Sequence, residues 1–251
     1  RLHYVVVGGW IGDFLSKNKL YKKMVNTFYM VYCETSVIRN ELIELGLNNN
    51  TILPNFKHID VLDVDTDYSI SEPYKVCTFS RVTKRKGIQD AIDAVKIINE
   101  KHGRIRIVLD VFGPVEENFF DEFDKAIKQN GSLCKYLGSI DPNQAVSVLQ
   151  NYFLMIFPTR IRTEGHPGSI IDSFSAGVPV LSADWESSKD LINDDTGYLY
   201  EMGNVEDLVD SLNQILDDPM SVLKKKEHCL KKAKEFDASN ALKVLISNLK
   251  S

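Results

Sequence analysis

The sequence lacks the cysteine and histidine spacings that bind metals or build disulfide frameworks. Its four cysteines contain no C-x-x-C pair, and its five histidines are scattered along the chain. Cys33, Cys77 and Cys134 lie in apolar, strand-like runs, which favours reduced, buried thiols of a cytoplasmic protein. We therefore expect neither a metal site nor a disulfide-stabilised fold.

The sequence also lacks a strong charge of either sign and a long apolar run. The net charge is −5 over 251 residues, with 43% apolar and 26% charged residues, which is the balance of an ordinary globular protein. This balance indicates no general affinity for nucleic acids. No stretch is typical of a membrane helix or a signal peptide, so we expect a cytoplasmic location, free or at a membrane surface.

Strand-like and helix-like segments alternate along the whole chain. The first series predicts strands at 2–7, 28–33 and 51–53, and helices at about 18–26 and 35–46. The second series predicts strands at 76–79, 104–112, 133–137, 152–157, 178–182 and 197–200, and helices at about 88–100, 116–130, 142–150, 169–176, 185–192, 204–217, 219–235 and 237–249. The strand at 2–7 is expected to be buried on both faces. This alternation predicts an α/β fold with a doubly wound parallel sheet.

A polar, acidic segment at 55–73 separates the two series and is predicted to be a linker. The chain opens directly on a strand, without a methionine, so we expect it to be a piece of a longer protein.

The stretch 163–180 combines a loop rich in glycine and proline with a short helix that stops at Gly177. A strand–loop–helix unit of this kind directs backbone N–H groups and a positive helix end to the carboxyl edge of a sheet, where anions bind. Glu164 and Asp172 lie eight residues apart, so both face one cleft if the helix starts early. The alternative is a pair of solvated acids.

A basic loop at 80–87 joins a predicted strand to a predicted helix. Arg81 and Lys86 lie five residues apart in it, where an open α/β sheet supplies cations and N–H donors to a diphosphate. The alternative is a solvated charge run. Lys84 and Arg85 are expected to be solvated, and a second basic run at 224–226 is expected to lie on a solvated helix face.

These two stretches resemble motifs of one known family. The pattern E-G-x-P-x-x-x-x-D-x-x-x-x-G-x-P-V, which starts at Glu164, resembles the donor-site signature of retaining glycosyltransferases with the GT-B architecture, of the family 4 or group 1 type. The pattern S-R-x-x-x-x-K-G at 80–87 resembles the diphosphate-binding loop of that family, and L-P-N-F at 53–56 resembles its hinge. The family carries Glu at the position of Asp172, so this carboxylate is one methylene shorter.

The resemblance implies a Rossmann-like donor domain at 57–251 and the tail of an acceptor domain at 1–56. The implied reaction is transfer of a sugar, with retention, from a UDP- or GDP-linked donor to a glycan or lipid-linked acceptor in cell-surface polysaccharide synthesis. The nucleotide sugar is a substrate, so no cofactor and no nucleic-acid partner are expected. Contact with a membrane surface would involve the rest of the acceptor domain, and this piece alone is expected to bind nucleotide without transferring sugar.

The resemblance also implies roles for individual residues. Glu164 would hold sugar hydroxyls, Asp172 would hold the ribose, and Arg81 and Lys86 would hold the diphosphate. Further nucleotide contacts are implied at Gly113, Leu137, Gly165, His166, Pro167 and Gly168, with the backbone of His166 mattering more than its ring. Two alternatives remain, namely an epimerase of the same architecture, for which the sequence shows no acid/base set, and a non-catalytic module that binds nucleotide sugars.

Overall fold

A computed structural model describes residues 1–59 and 71–250 of the chain. Its helices are α1 Ile11–Lys17, α2 Lys19–Val25, α3 Ser36–Glu44, α4 Ile88–His102, α5 Phe120–Gln129, α6 Ala145–Leu149, α7 Gly168–Ser175, α8 Val205–Asp217, α9 Pro219–Ala233, α10 Ala238–Ala241 and α11 Lys243–Lys250. Its strands are β1 His3–Val6, β2 Met30–Cys33, β3 Asn50–Ile52, β4 Tyr74–Phe79, β5 Ile107–Phe112, β6 Cys134–Gly138, β7 Leu154–Phe157, β8 Val180–Ala183 and β9 Gly197–Tyr200.

The strands form two parallel sheets, as the alternating pattern predicts. The first has the order β1-β2-β3, and the second has the order β6-β5-β4-β7-β8-β9. Pairing is parallel between all neighbouring strands of these two sheets. The strand order of the second sheet reverses between β4 and β7, and the carboxyl ends of such a switch point form the usual ligand crevice of a doubly wound sheet.

Helices cover both faces of the six-stranded sheet. One apolar cluster joins α4, α5 and α8 to the sheet, and the other joins α6, α7 and α9 to it. The predicted apolar face of α4 is confirmed, since its members are all buried: Ile88, Ala91, Ile92, Val95 and Ile98. All four residues of β7 are buried, which fits a central strand that is covered on both faces.

Three predicted features of the fold are wrong. Val5 and Val7 are 48% and 71% exposed, because β1 is an edge strand of its sheet in the described residues and one of its faces is uncovered. The predicted helix at 185–192 contains only a single 3₁₀ turn at Ser188–Asp190. The basic run at 224–226 is not wholly solvated, because Lys226 is 4% exposed on α9. The sequence analysis also missed helix α1, which begins at Ile11 and is separated from Gly8-Gly9 by one residue.

The segment predicted as a linker is described at 55–59 and at 71–73, and residues 60–70 lie outside the described part. Where it is described, its first part is packed rather than free. The Lys57 N–H donates to Phe236 O at 3.0 Å, and the Ala238 N–H donates to Lys57 O at 2.8 Å. Residue 57 therefore bonds to the chain just before α10, while the domain boundary at 56 and 57 stays a prediction.

Within residues 1–59 and 71–250, no helix is long and apolar enough to cross a membrane. All four cysteines are buried and are free thiols, as the sequence predicts. Burial raises the pKa of Cys33, Cys134 and Cys229 to about 12, which keeps these thiols protonated at neutral pH.

Candidate active site

Two loops meet at the switch point of the six-stranded sheet. The loop after β4 carries Arg81 and Lys86, and the loop after β7 carries Glu164. The Arg160 N–H donates to Arg85 O at 2.9 Å, which joins the two loops through their backbones. The Arg160 guanidinium also donates to both carboxylate oxygens of Asp90, at 2.9 and 2.7 Å, so the second loop is fixed to the first turn of α4. The geometry of the crevice is therefore set by contacts between its loops.

Gly87 makes the close approach of these loops possible. Its φ of 66° lies in the left-handed region, and a Cβ there would collide with the carbonyl oxygen of Pro158. Glycine is the residue that meets both conditions. The fold of this chain therefore explains why the last position of the pattern S-R-x-x-x-x-K-G is a glycine.

Lys86 and Glu164 form a largely buried ion pair between the loops that follow β4 and β7. The Lys86 ammonium donates to Glu164 Oε1, and the two side chains are only 11% and 13% exposed. The Thr159 hydroxyl donates to the same carboxylate oxygen at 2.8 Å, and the ammonium lies 5.0 Å from the centre of the Phe157 ring. The structure thus brings together the cation and the acid that the sequence analysis assigned to different parts of a nucleotide sugar.

Arg81 differs from Lys86 in being exposed. It follows the end of β4, and within the described residues it forms no ion pair. Lys84 and Arg85 are exposed, as predicted, and Lys84 has only a long contact of 3.5 Å to Glu122. Arg81 is therefore a cation at the crevice whose charge is not neutralised by an acid of the described chain.

A cavity of about 270 Å³ opens beside these loops. It is lined by residues at the ends of β4 and β5 and at the start of α7, among them Ser80, Phe112, Gly113, Gly168 and Asp172. The cavity therefore brings together three of the predicted site residues. Leu137 is half-exposed and lies outside this lining, as do Arg81, Lys86 and Glu164.

Asp172 lies on the second turn of α7 and is bound by Lys57, the residue that follows the L-P-N-F run. The Lys57 ammonium lies 2.6 Å from each of its carboxylate oxygens, and Asp172 is buried. Burial raises the pKa of Asp172, while the hydrogen bond and the charge of Lys57 act to lower it. The cavity-facing acid is thus a member of an ion pair.

Residues 66–236, more than half of the chain, match the family of glycosyl transferases group 1. The chain belongs to this family. It is 26% identical over 152 residues to the capsular polysaccharide biosynthesis glycosyltransferase CapM of Staphylococcus aureus, a match that covers 59% of this chain and 38% of CapM. It is 27% identical over 177 residues to the poly(glycerol-phosphate) alpha-glucosyltransferase of Bacillus subtilis, which covers 68% of this chain and 25% of that protein.

Solved structures confirm the GT-B fold of this group 1 chain. The crystal structure of Anabaena Alr3699/HepE in complex with UDP superposes with a TM-score of 0.83 at 18% identity, covering 99% of this chain and 72% of that one. The crystal structure of TarM superposes with a TM-score of 0.79 at 16% identity, covering 99% of this chain and 50% of that one. The chain spans well under half the length of the curated relatives it matches.

The group 1 signature loop is held by residues that the sequence analysis missed. Glu34, at the end of β2, accepts a hydrogen bond from the Gly8 N–H at 3.1 Å, and its carboxylate lies where a Cβ of Gly165 would stand. Thr159 positions the Glu164 carboxylate, and Lys57 binds Asp172. The position of Lys57, two residues after the asparagine of the L-P-N-F run, was the one feature of the sequence that could have indicated its role. No local pattern marks Glu34.

The His166 ring of this loop is buried among residues of other segments. It packs edge-on against Phe236, with ring centres 5.8 Å apart, and its Nε2 lies 3.6 Å from Asp190 Oδ2. The His166 carbonyl accepts from the Asn55 side chain at 2.9 Å. Ring and backbone thus anchor the loop to the hinge and to the C-terminal segment. Whether any of the predicted residues contacts a nucleotide stays a prediction.

Proposed function

We propose that the whole protein transfers a sugar, with retention of the anomeric configuration, from a nucleotide diphosphate sugar to a glycan or lipid-linked acceptor. The observation that carries this proposal is the arrangement at the switch point. There, the loops after β4 and β7 carry the Lys86–Glu164 ion pair and Arg81, which forms no ion pair within the described residues. Beside them opens a cavity of about 270 Å³ that the start of α7 helps to line. A nucleotide diphosphate sugar has the matching parts, namely an anionic centre, a sugar and a nucleoside.

In this proposal, side chains and backbone N–H groups of this chain stabilise the negative charge that develops on the departing diphosphate. Arg81 and Lys86 supply positive charge from one loop. The first hydrogen bond within α7 runs from the Ile170 N–H to Pro167 O at 3.0 Å, so the N–H groups of Gly168 and Ser169 precede it at the positive helix end. Preorganised groups of this kind are often the largest catalytic term. We propose that they stabilise the leaving group without a metal ion.

Glu164 acts at the sugar end of the donor in this proposal. Its carboxylate is fixed by Lys86 and Thr159 and keeps acceptor capacity for sugar hydroxyls. The Lys86 ammonium can also donate to the diphosphate. The carboxylate and the ammonium then contact two neighbouring parts of one substrate, the sugar and the diphosphate. Hydrogen bonds to the sugar that tighten in the transition state would raise turnover rather than ground-state affinity.

The relatives suggest where such a reaction belongs. CapM is named for capsular polysaccharide biosynthesis, and the HepE structures hold UDP or UDP-glucose. We propose that this protein uses a UDP-linked sugar in cell-surface polysaccharide synthesis, with a GDP-linked sugar as the second choice. We further propose a cytoplasmic location, with membrane contact through the rest of the acceptor domain, outside this chain.

The proposal is tested by product analysis with the whole protein and a labelled UDP-sugar. The label should move to an added glycan or lipid-linked acceptor, and nuclear magnetic resonance of the product should show the anomeric configuration of the donor. The Glu164→Gln variant should bind UDP but transfer slowly. An epimerised donor would contradict the proposal, and so would an unchanged donor despite tight nucleotide binding, because the protein would then be an epimerase or a binding module.

A further inference from the structure

The hinge segment, defined as residues 53–57 so that it includes the L-P-N-F run and the lysine after it, holds Lys57 in a fixed place. The Leu53 N–H donates to Cys33 O at 2.8 Å, and the Asn55 side chain donates to His166 O. Backbone hydrogen bonds on both sides of Lys57 join it to the chain around α10. Because its backbone is anchored to the signature loop and to the C-terminal segment, the side chain starts from a defined position.

The Lys57 side chain crosses the first residue of α7 to reach Asp172. A Cβ at Gly168 would lie 3.2 Å from Lys57 Cε, so the methylene chain runs close over the start of the helix. The ammonium binds both carboxylate oxygens of Asp172. Lys57 and Asp172 line the same cavity as Gly113 and Ser169, and the Lys57 side chain is 36% exposed. The pair therefore presents its polar atoms to the cavity.

The chemistry of this pair favours a neutral ligand with both donors and acceptors. Two of the three ammonium hydrogens are directed at Asp172, which leaves the third for another acceptor, and each carboxylate oxygen can accept further hydrogen bonds. A phosphate placed here would bring a second anion against Asp172, whereas Arg81, which forms no ion pair in the described part of the chain, offers its charge to a phosphate. A sugar diol donates and accepts at adjacent atoms, so it matches the Lys57–Asp172 pair.

We propose that Lys57 is a nucleotide-binding residue that the hinge segment contributes to the donor site. Lys57 and Asp172 bind the ribose together, with the ammonium donating to one hydroxyl oxygen and the carboxylate accepting from the hydroxyls. The shorter reach of Asp172 is then offset by a second polar group. This inference rests on the proposed function, because it needs a nucleoside diphosphate in the cavity.

The test is isothermal calorimetry of the full chain with UDP and with 2′,3′-dideoxy-UDP. Lys57→Met should weaken the affinity for UDP at least about tenfold, which is the lower end of the range expected for a hydrogen bond to a charged group. It should weaken the dideoxy nucleotide much less, since that ligand offers no ribose hydroxyls. Lys17→Met is the matched control, because Lys17 also pairs with an aspartate, Asp13, at 2.7 Å, but on an exposed helix outside the cavity. It should leave both affinities unchanged.

The outcomes separate the inference from the proposed function. Unchanged UDP affinity in Lys57→Met would overturn the inference, and so would an equal loss for both nucleotides, because a merely structural role weakens both alike. A thermal unfolding scan shows whether the variant folds, and Lys57→Arg, which keeps the charge, should retain the preference for UDP over the dideoxy nucleotide. If the unaltered chain binds neither UDP nor GDP, the proposed function fails as well.

Discussion

The Asp190 carboxylate accepts two hydrogen bonds from Ser36, from its backbone N–H at 2.7 Å and from its hydroxyl at 2.6 Å. Ser36 begins α3, and the first N–H groups of a helix have no partner within the helix. Asp190 follows β8 and lies 154 residues further along the chain. A carboxylate from the six-stranded part therefore satisfies a helix start in the three-stranded part, next to the buried His166 ring.

Removing this contact should destabilise the protein in a pH-dependent way. Asp190→Asn is expected to cost about 1–3 kcal/mol in the free energy of unfolding near pH 7. Burial tends to raise the pKa of Asp190, but His166 and Ser36 lower it to about 2, below its ordinary value of 3.8. The ionised carboxylate thus stabilises the fold above about pH 4, and this contribution is lost as the pH falls towards 2.

Urea unfolding at several pH values between 2.5 and 7 measures this effect. The difference between the unaltered protein and Asp190→Asn should shrink as the pH falls. Asp195→Asn is the control, because Asp195 is an exposed acid of the same region. A difference that stays constant over this range would show that the charge of Asp190 is irrelevant.

The two cations of the loop after β4 should behave alike in binding and differently in stability. Arg81→Met and Lys86→Met are each expected to weaken UDP binding by about 1.5–3 kcal/mol, the range for charge-assisted hydrogen bonds. Lys86→Met should also lower the unfolding temperature, because it leaves the largely buried Glu164 carboxylate without its cation. Arg81→Met should not. Calorimetry and thermal scans check both points, with exposed Lys84→Met as control, and unchanged affinity in both variants would refute the diphosphate assignment.

The two acids should separate turnover from nucleotide affinity in the whole protein. Glu164→Gln should lower kcat more than it weakens UDP, because the proposed sugar contact tightens in the transition state. Asp172→Asn should weaken the affinity for UDP, because its proposed contact with the nucleotide is the same in the ground state and the transition state. Steady-state kinetics and calorimetry give the two numbers independently. Full turnover in the first variant together with unchanged affinity in the second would exclude this stretch as the donor site.

The parts of the structure that carry a local pattern could be predicted from the sequence. Apolar runs such as 152–157 indicate buried strands, and glycine and proline indicate the loops that follow them. The two loops at the switch point therefore lie at the sequence positions that the motifs predicted. The exposed face of β1 was missed because a run of valines has the same pattern in a central strand and at an edge. Helix α1 was missed because its seven residues are too few to give a clear period and because two glycines closely precede it.

The contacts that build the site could not be predicted, because each joins residues far apart in the sequence. The Lys57–Asp172 pair spans 115 positions and the Lys86–Glu164 pair spans 78. Neither residue of a pair carries a local sign of its partner. A polar residue in a motif can be assigned to a ligand from sequence, but its protein partners come from the packing of loops and helices.

Gly165 should be required because of Glu34, and a double-mutant cycle tests this. A Cβ at residue 165 would collide with the Glu34 carboxylate, which is buried and bonded to the Gly8 N–H. Gly165→Ala should therefore cost about 1–3 kcal/mol in the free energy of unfolding, as overpacking does. The cost should be smaller when Glu34→Ala removes the carboxylate and unchanged when Glu34→Gln keeps its size. Strictly additive free energies in the Glu34→Ala background would contradict the steric explanation.

Lys226 should make stability rise with pH just above neutrality. Three consecutive helical residues cover well over half a turn, so they cannot all face solvent on a packed helix such as α9, and Lys226 is the one turned inwards with Val222 and Cys229. Burial lowers its pKa to about 7 from 10.5. Above pH 7 the unfolded chain therefore binds a proton that the folded chain does not, and the free energy of unfolding rises by up to about 1.4 kcal/mol per pH unit.

The window for this measurement closes near pH 9, because the raised pKa of the buried cysteines gives the opposite slope above the ordinary thiol value of 9.0. Urea unfolding from pH 6.5 to 9 should show a rise for the unaltered protein relative to Lys226→Met, which has no charge to lose. Lys224→Met, at an exposed position of the same run, should follow the unaltered protein. Parallel stability curves for the unaltered protein and Lys226→Met would mean that Lys226 titrates alike in both states, so that its burial would have no consequence for stability in this range.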